Sequence, residues 1–323
     1  MRKKSRIVLL IIILAVLAFA IYVLVYDFPG AAKDGLFNGA AEPGADPGVS
    51  AGQGESDGEE AEPGKDVITS LWFYNPANED RYAAFAARMP ELAMADVIWM
   101  VEANLDLQPY SGSEPAVEPE SLTVLVNKFF YLEDDFSPPN LVEIDSTMLR
   151  KEAAEAMEDL INAAAVGGFR LWVQSGYRSY TVQKTLYENY SATDGQENAD
   201  TYSARPGHSE HQLGLAVDFN TITDAFGETS EGHWVADNSW QFGYIMRYTK
   251  ENTDITLFRP EPWHFRYVGK ERAAHYKDLG FTSYEEYWVK YVKFHPPDFA
   301  LALEPKDETE DGTEADTESK AEQ

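Results

Sequence analysis

The chain has 323 residues, with 55 Asp and Glu against 26 Lys and Arg, a formal net charge of −29 and no cysteine. A charge this negative argues against a nucleic-acid partner, because phosphate binding takes clustered cationic side chains. The missing Cys excludes disulfides, thiolate nucleophiles, Cys-ligated zinc, iron–sulfur clusters and a lipidated Cys anchor, while 13% aromatic content belongs to a chain with a folded core.

In chain order, Arg2, Lys3, Lys4 and Arg6 precede an uncharged apolar run from Ile7 to Tyr26. At 1.5 Å per residue, a helix of that length crosses a hydrocarbon core of about 30 Å. The basic flank holds its own side in the cytoplasm, so residues 1–28 are predicted to be a cytoplasmic N-terminus and transmembrane anchor with the remainder outside the cell membrane. Ala18-Phe19-Ala20 also has the small-x-small form of a signal-peptidase site, but the apolar run continues through Val25, which favours an uncleaved anchor. Residues 29–66 carry a net charge of −7, with Leu36 and Phe37 as their large apolar side chains, too few to offset the entropy of ordering. They are predicted to be a disordered linker, and residues 304–323, also at −7, an acidic solvated tail.

Between them, residues 67–303 are predicted to form one mixed α/β domain at −18. Pro90 interrupts a helical pattern over 67–110, which suggests a helical N-terminal lobe. Asp145-Ser146 before Leu149, Ala153, Ala156, Met157, Leu160, Ile161 and Ala164 predicts a capped amphipathic helix stopped by Gly167-Gly168. Phe169 to Ser175 alternates apolar and polar residues as a strand does, and Gly176-Tyr177-Arg178-Ser179 turns it into a helix carrying Gln183, Leu186, Tyr187 and Tyr190. Leu215–Phe219, Phe242–Tyr248 and Trp263–Val268 read as short strands, with helices over 270–279 and 283–293. The aromatic residues of the last helix, Tyr284, Tyr287, Trp288 and Tyr291, have the spacing of a core face.

Without Cys, a metal site has to be built from His and carboxylates. Asp218 lies inside an apolar strand, where a carboxylate is costly unless paired or metal-bound. His211 precedes it by seven residues, and Gly214 between them allows the bend that brings the two together. Glu261-Pro262-Trp263-His264 offers a second Glu and His on extended backbone. Two His and one carboxylate leave a zinc position open for water, the arrangement of a hydrolytic site. Glu261 is then placed as general base and later acid, and Arg178, at a strand-to-helix turn, as the partner of a developing oxyanion. His208 is read as a cleft-edge residue, His233 as part of a surface loop, and Lys128 as a cation neutralising an acidic core partner.

The string Ser209-x-His211-x-x-Gly214-x-Ala216-x-Asp218, followed by Glu261-x-x-His264 and preceded by Ser175-Gly176-Tyr177-Arg178-Ser179 and Gln183, resembles the VanY-type zinc D-Ala-D-Ala carboxypeptidases. Leu125 to Lys128, Ala204 to Gly207 and Phe242 to Tyr248 extend the resemblance over roughly residues 95–280. It implies an α+β fold shared with D-Ala metallopeptidases, lysostaphin-type endopeptidases and hedgehog domains: a small antiparallel sheet carrying zinc and flanked by helices. It also implies Zn2+ on His211, Asp218 and His264, with Glu261 as base and Arg178 on the scissile carbonyl. Ser209, Gln183 and Tyr177 are expected to line the substrate cleft. The implied substrate is the peptidoglycan stem peptide, cut at its C-terminal D-alanine, with no obligate protein partner. An L,D-carboxypeptidase acting on tetrapeptide stems, an endopeptidase and a catalytically silent zinc-containing wall-binding domain remain as alternatives.

Overall fold

A computed structural model of the chain describes residues 68–296. The predicted anchor, linker and acidic tail lie outside these residues. The N-terminal lobe is helical as expected: Asn75 accepts from the Ala77 N–H to start a short turn, α1 spans Glu79–Arg88 and α2 spans Met94–Glu102, with Pro90 in the break between them. A short parallel pair follows, β1 (Glu114–Pro115) with β2 (Phe130–Tyr131).

The next segment departs from expectation. Asp145 and Ser146 do not cap a helix; they form the two-residue turn of a hairpin between β3 (Leu141–Ile144) and β4 (Thr147–Arg150). Asp145 takes a φ of 51°, which a short polar side chain tolerates, and its carboxylate accepts the Val173 N–H at 2.9 Å. The residues that favour an N-cap also favour a tight turn, so the local pattern serves both. The helix itself, α3 (Lys151–Val166), starts after Arg150 and buries Ala153, Ala156, Met157, Leu160 and Ala164, the predicted face. It ends at Gly167, with Gly168 at φ 85°.

The predicted strand at 169–175 is regular only as β5 (Val173–Ser175), and the helix after it is α4 (Tyr180–Asp194), capped by the Ser179 hydroxyl. A single helical turn, α5 (Gln196–Ala199), leads on to β6 (Ala216–Phe219). Then come α6 (Ser230–Asn238), β7 (Tyr244–Met246), the short α7 (Thr253–Thr256) and β8 (His264–Tyr267). Helices α8 (Lys270–Asp278) and α9 (Tyr284–Trp288) are the last helices among the described residues, α9 running into a wider turn over Val289–Lys293. His233 therefore lies on α6, exposed, rather than in a loop.

The central sheet is antiparallel throughout, in the order β5-β6-β8-β7. Strand alternation divides its two faces. Val217 lies opposite Phe265 and Tyr244 opposite Tyr267, and these side chains join Phe219 and the buried side of α3 in one core. On the other face, Ser175 lies opposite Asp218 and Asp218 opposite His264, while Arg266 pairs with Ala216 and Ile245. The second core, built from α1, α2, α8 and α9, includes Ile245 and the predicted aromatic face Tyr284, Tyr287 and Trp288. A polar row thus crosses a sheet with a hydrophobic core on each side.

Leu160 is fully buried in the first core, whereas Val166 on the same helix is 91% exposed. Urea unfolding should show Leu160→Ala losing about 2–5 kcal/mol and Val166→Ala close to nothing; equal losses would contradict this packing.

Candidate metal centre and cleft

The chain delivers its first candidate ligand from a turn. The Ser209 hydroxyl caps the 3-10 turn Glu210–Leu213, and Gly214, at φ 66°, redirects the backbone into β6. A side chain at Gly214 would meet Leu141 Cδ2 at 2.8 Å, so both conformation and space ask for glycine. His211 then faces Asp218, with Nε2 3.3 Å from Oδ2. The register of β6 and β8 supplies His264, whose Nδ1 lies 3.2 Å from Asp218 Oδ1. One donor atom from each of His211, Asp218 and His264 lies within 4.8 Å of the others, and all three residues are buried.

The donor set fits a small divalent cation. Bonds of about 2.0–2.1 Å to zinc in tetrahedral geometry give ligand–ligand edges of about 3.3–3.4 Å, close to the 3.3 and 3.2 Å between Asp218 and the two imidazoles. His211 Nδ1 lies 2.7 Å from the Gly176 carbonyl, which can only accept, so the proton is on Nδ1 and the Nε2 lone pair points inward. Burial lowers the His211 pKa, which favours the neutral imidazole that a metal requires. His264 is held in the opposite sense: Nε2 lies 3.1 Å from Glu210 Oε2, which leaves Nδ1 for the shared point. Burial would lower the His264 pKa, but hydrogen bonds to Asp218 and Glu210 push it up to about 9. Burial would raise Asp218, yet His211 and His264 hold it well below the usual carboxylate range.

Glu210 is the functional residue that sequence reasoning missed. It is completely buried, its Oε1 2.8 Å from Arg247 Nε and 3.2 Å from Arg266 NH1. Arg247 in turn grips Glu285 of α9 through two nitrogens, at 2.9 and 3.3 Å. Asn127 and Ser283 donate to the same carboxylate. Arg266 donates to the Leu122 and Val124 carbonyls. Burial would raise Glu210, but Arg247, His264 and Arg266 keep it well below the usual range, hence ionised and able to accept from His264. The signal in the sequence was the pair of arginines in apolar strand surroundings, Tyr-Ile-Met-Arg247 and His-Phe-Arg266, since buried guanidinium groups require buried carboxylates.

Glu261 stands on the loop before β8, its carboxylate 3.8 Å from His264 Nδ1. Burial raises its pKa to about 7, against the pull of His264. Arg178 is fixed by Gln183 Oε1 at 2.7 Å and Ser175 Oγ at 3.0 Å, with NH2 3.8 Å from Asp218 Oδ2. Gln183 also donates to the Ala204 carbonyl at 2.7 Å, so both ends of its amide are used. Arg178, Gln183, Ser209, His211, Asp218, Glu261 and His264 all line one cleft of about 550 Å3. Tyr177 is not among the lining residues; its backbone N–H donates to Met148 of β4. His208, expected at the cleft edge, is buried instead, bonded to the Asn127 carbonyl at 2.7 Å between the rings of Tyr110 and Tyr131. Lys128 donates to the carbonyls of Asp200 and Leu257, and its charge also acts on the Asp200 carboxylate, the acidic partner expected of it.

Two imidazoles and a carboxylate converging beside a second carboxylate, at the floor of a peptide-sized cleft, define a mononuclear metallohydrolase. Residues 146–270 match the VanY family, described as D-alanyl-D-alanine carboxypeptidase. The chain is 39% identical over 204 residues to YodJ of Bacillus subtilis (strain 168), covering 58% of this chain and 74% of that one. It spans 47% of the length of two D-alanyl-D-alanine carboxypeptidases, from Enterococcus faecium and Enterococcus faecalis. Among solved structures it is similar to the LdcB LD-carboxypeptidase, with 38% identity, a TM-score of 0.53, and coverage of 57% of this chain and 93% of the other. A zinc(II) complex of the D,D-pentapeptidase VanY from a VanB-type resistance cassette is 33% identical, with a TM-score of 0.47 and coverage of 53% and 99%. The chain belongs to the VanY D-alanyl-D-alanine carboxypeptidase family.

If Glu210 orients His264, then Glu210→Gln, which costs stability by leaving Arg266 without its counter-charge, should lower zinc affinity by about 10- to 100-fold in competition with a chromophoric chelator, read below the melting transition that circular dichroism defines. Unchanged affinity would remove Glu210 from the site.

Proposed function

We propose that the chain is a zinc-dependent carboxypeptidase that removes the C-terminal D-alanine of peptidoglycan stem peptides. The observation that carries this reading is the meeting of His211, Asp218 and His264 with Glu261 and Arg178 in a single cleft. His211, Asp218 and His264 would hold the zinc, which supplies polarisation of a carbonyl and a water of lowered pKa. Glu261, with its carboxyl near 7, is suited to take a proton from the attacking water and pass it to the amine as the C–N bond breaks. Arg178, immobilised by Gln183 and Ser175, presents its guanidinium beside Asp218 where a carbonyl oxygen would gain charge. Gln183 acts through Arg178, and Ser209 shapes the turn that carries His211.

The likeness to LdcB favours a second reading of the same machinery, cleavage of a tetrapeptide stem after its L-residue. The two differ in the residue preceding the scissile bond, not in the groups that act on it. The apolar run Ile7–Tyr26 with its basic flank supports anchoring in the cell membrane with the domain outside. A flexible linker over 29–66 would then give a root-mean-square reach on the order of 35 Å.

Zinc-loaded protein should release D-alanine from a stem pentapeptide, read by product mass. Chelation should abolish the release and added zinc restore it. Glu261→Gln should keep zinc and lose about 10²- to 10⁴-fold in kcat. Release of D-alanine only from tetrapeptides would establish the second reading, and no release from either would refute both. In cells, the full chain should stay with membranes through an alkaline wash, and recovery in the soluble fraction would contradict an uncleaved anchor.

A further inference from the structure

The cleft extends past the metal centre along α4, where Leu186, Tyr190 and Asp194 form one side. Arg259 also lines it, two residues before Glu261 on a loop stiffened by Pro260 and Pro262. The backbone N–H of Arg259 donates to the Thr201 carbonyl at 2.9 Å. Its guanidinium lies over the Tyr202 ring, 4.5 Å from the centroid. Tyr202 is itself held, its hydroxyl donating to Asp194 and its ring meeting Tyr190 edge-on with centroids 5.2 Å apart.

Arg178 and Arg259 are the arginines that line the cleft. Arg178 is occupied by Gln183, Ser175 and Asp218. The Arg259 guanidinium has no hydrogen bond or ion pair to a side chain among the described residues. This is notable in a domain whose formal charge is −18, where a cation has an excess of acids to pair with. The contact with the Tyr202 ring holds the guanidinium in the cleft while its N–H groups keep no side-chain partner among the described residues, which is what bidentate capture of a carboxylate requires. A group already immobilised loses little freedom on binding.

We propose that Arg259, seated on Tyr202, is a carboxylate-binding subsite of this cleft and takes a carboxylate of the peptide substrate. The inference rests on the peptidase reading of the site. Two carboxylates of a stem peptide share this chemistry: the terminal one beside the scissile bond, and the side-group carboxylate of an acidic residue further upstream. The stiff loop between Arg259 and Glu261 makes the subsite a ruler, because the captured carboxylate stands at a fixed offset from the bond that Glu261 serves.

Four synthetic stem pentapeptides, acid or amide at the C-terminus and acid or amide at the upstream side group, test it with zinc-loaded wild-type, Arg259→Gln and Arg259→Lys proteins. Wild type should prefer the acid over the amide at one of the two positions. Arg259→Gln should lose about tenfold of that preference, through KM rather than kcat, at that position alone. Arg259→Lys, which keeps the charge and loses the planar fork, should fall between. The position affected identifies the carboxylate. Calorimetric binding of the same peptides to zinc-loaded Glu261→Gln protein, with and without Arg259→Gln, reads the same ratios independently of turnover. An Arg259→Gln change that weakens all four peptides equally, or none, overturns the subsite. Absence of D-alanine release by wild type would instead refute the peptidase reading, with the binding ratios still reporting on Arg259.

Discussion

The structure depends on one costly placement, the carboxylate of Asp218 in the middle of an apolar strand. Val217 and Phe219 on either side of it point into the first core, so strand alternation forces Asp218 onto the opposite face. There it is only 3% exposed, and a carboxylate so far from water is stable only where positive charge is brought to it. Two imidazoles and the Arg178 guanidinium converge on it from β8, the Glu210–Leu213 turn and the turn after β5. Backbone bonds join these elements: Arg178 donates to the His211 carbonyl, Arg150 of β4 to the Gly214 carbonyl and Tyr177 to the Met148 carbonyl.

The charge does not stop at Asp218. His264 passes it to Glu210, Glu210 to Arg247 and Arg266, and Arg247 to Glu285, so that the four charges behind His264 balance inside the protein. Removing one member would strand its partners as buried unpaired ions, the most damaging form of such a change. The chain of contacts also gives α9 a part in the site: packed in the second core by Tyr284, Tyr287 and Trp288, it carries the carboxylate that fixes Arg247. Helix α9 thereby supports the geometry of a candidate metal ligand that it does not touch.

Much of the centre was legible in the sequence because its logic is local. A strand-interior Asp, a His seven residues earlier across a Gly, and a Glu-Pro-Trp-His segment each break the rules of an ordinary core, and the structure brings His211, Asp218, His264, Glu261 and Arg178 together. Helices α3, α4 and α8 and the strands of the sheet followed from periodicity, with ends that moved by a few residues. What escaped was settled elsewhere. Asp145-Ser146 satisfies a turn as well as a cap, and only the pairing of Ile144 with Thr147 decides between them. Glu210 sits inside the motif, but its partners lie 37 and 56 residues away. His208 looked like a cleft-edge residue and proved to be bonded to a backbone carbonyl, a contact that has no sequence pattern.

The central claim is that the charge balance around Asp218 is built for one tetrahedral divalent cation, with a single imidazole nitrogen from each of two differently held histidines. Zinc K-edge absorption fine structure on the protein loaded with one equivalent of zinc tests this directly. The account predicts four light-atom ligands at about 2.0–2.1 Å, with the outer-shell scattering of two imidazoles. A six-coordinate shell, or one without imidazole scattering, would contradict it.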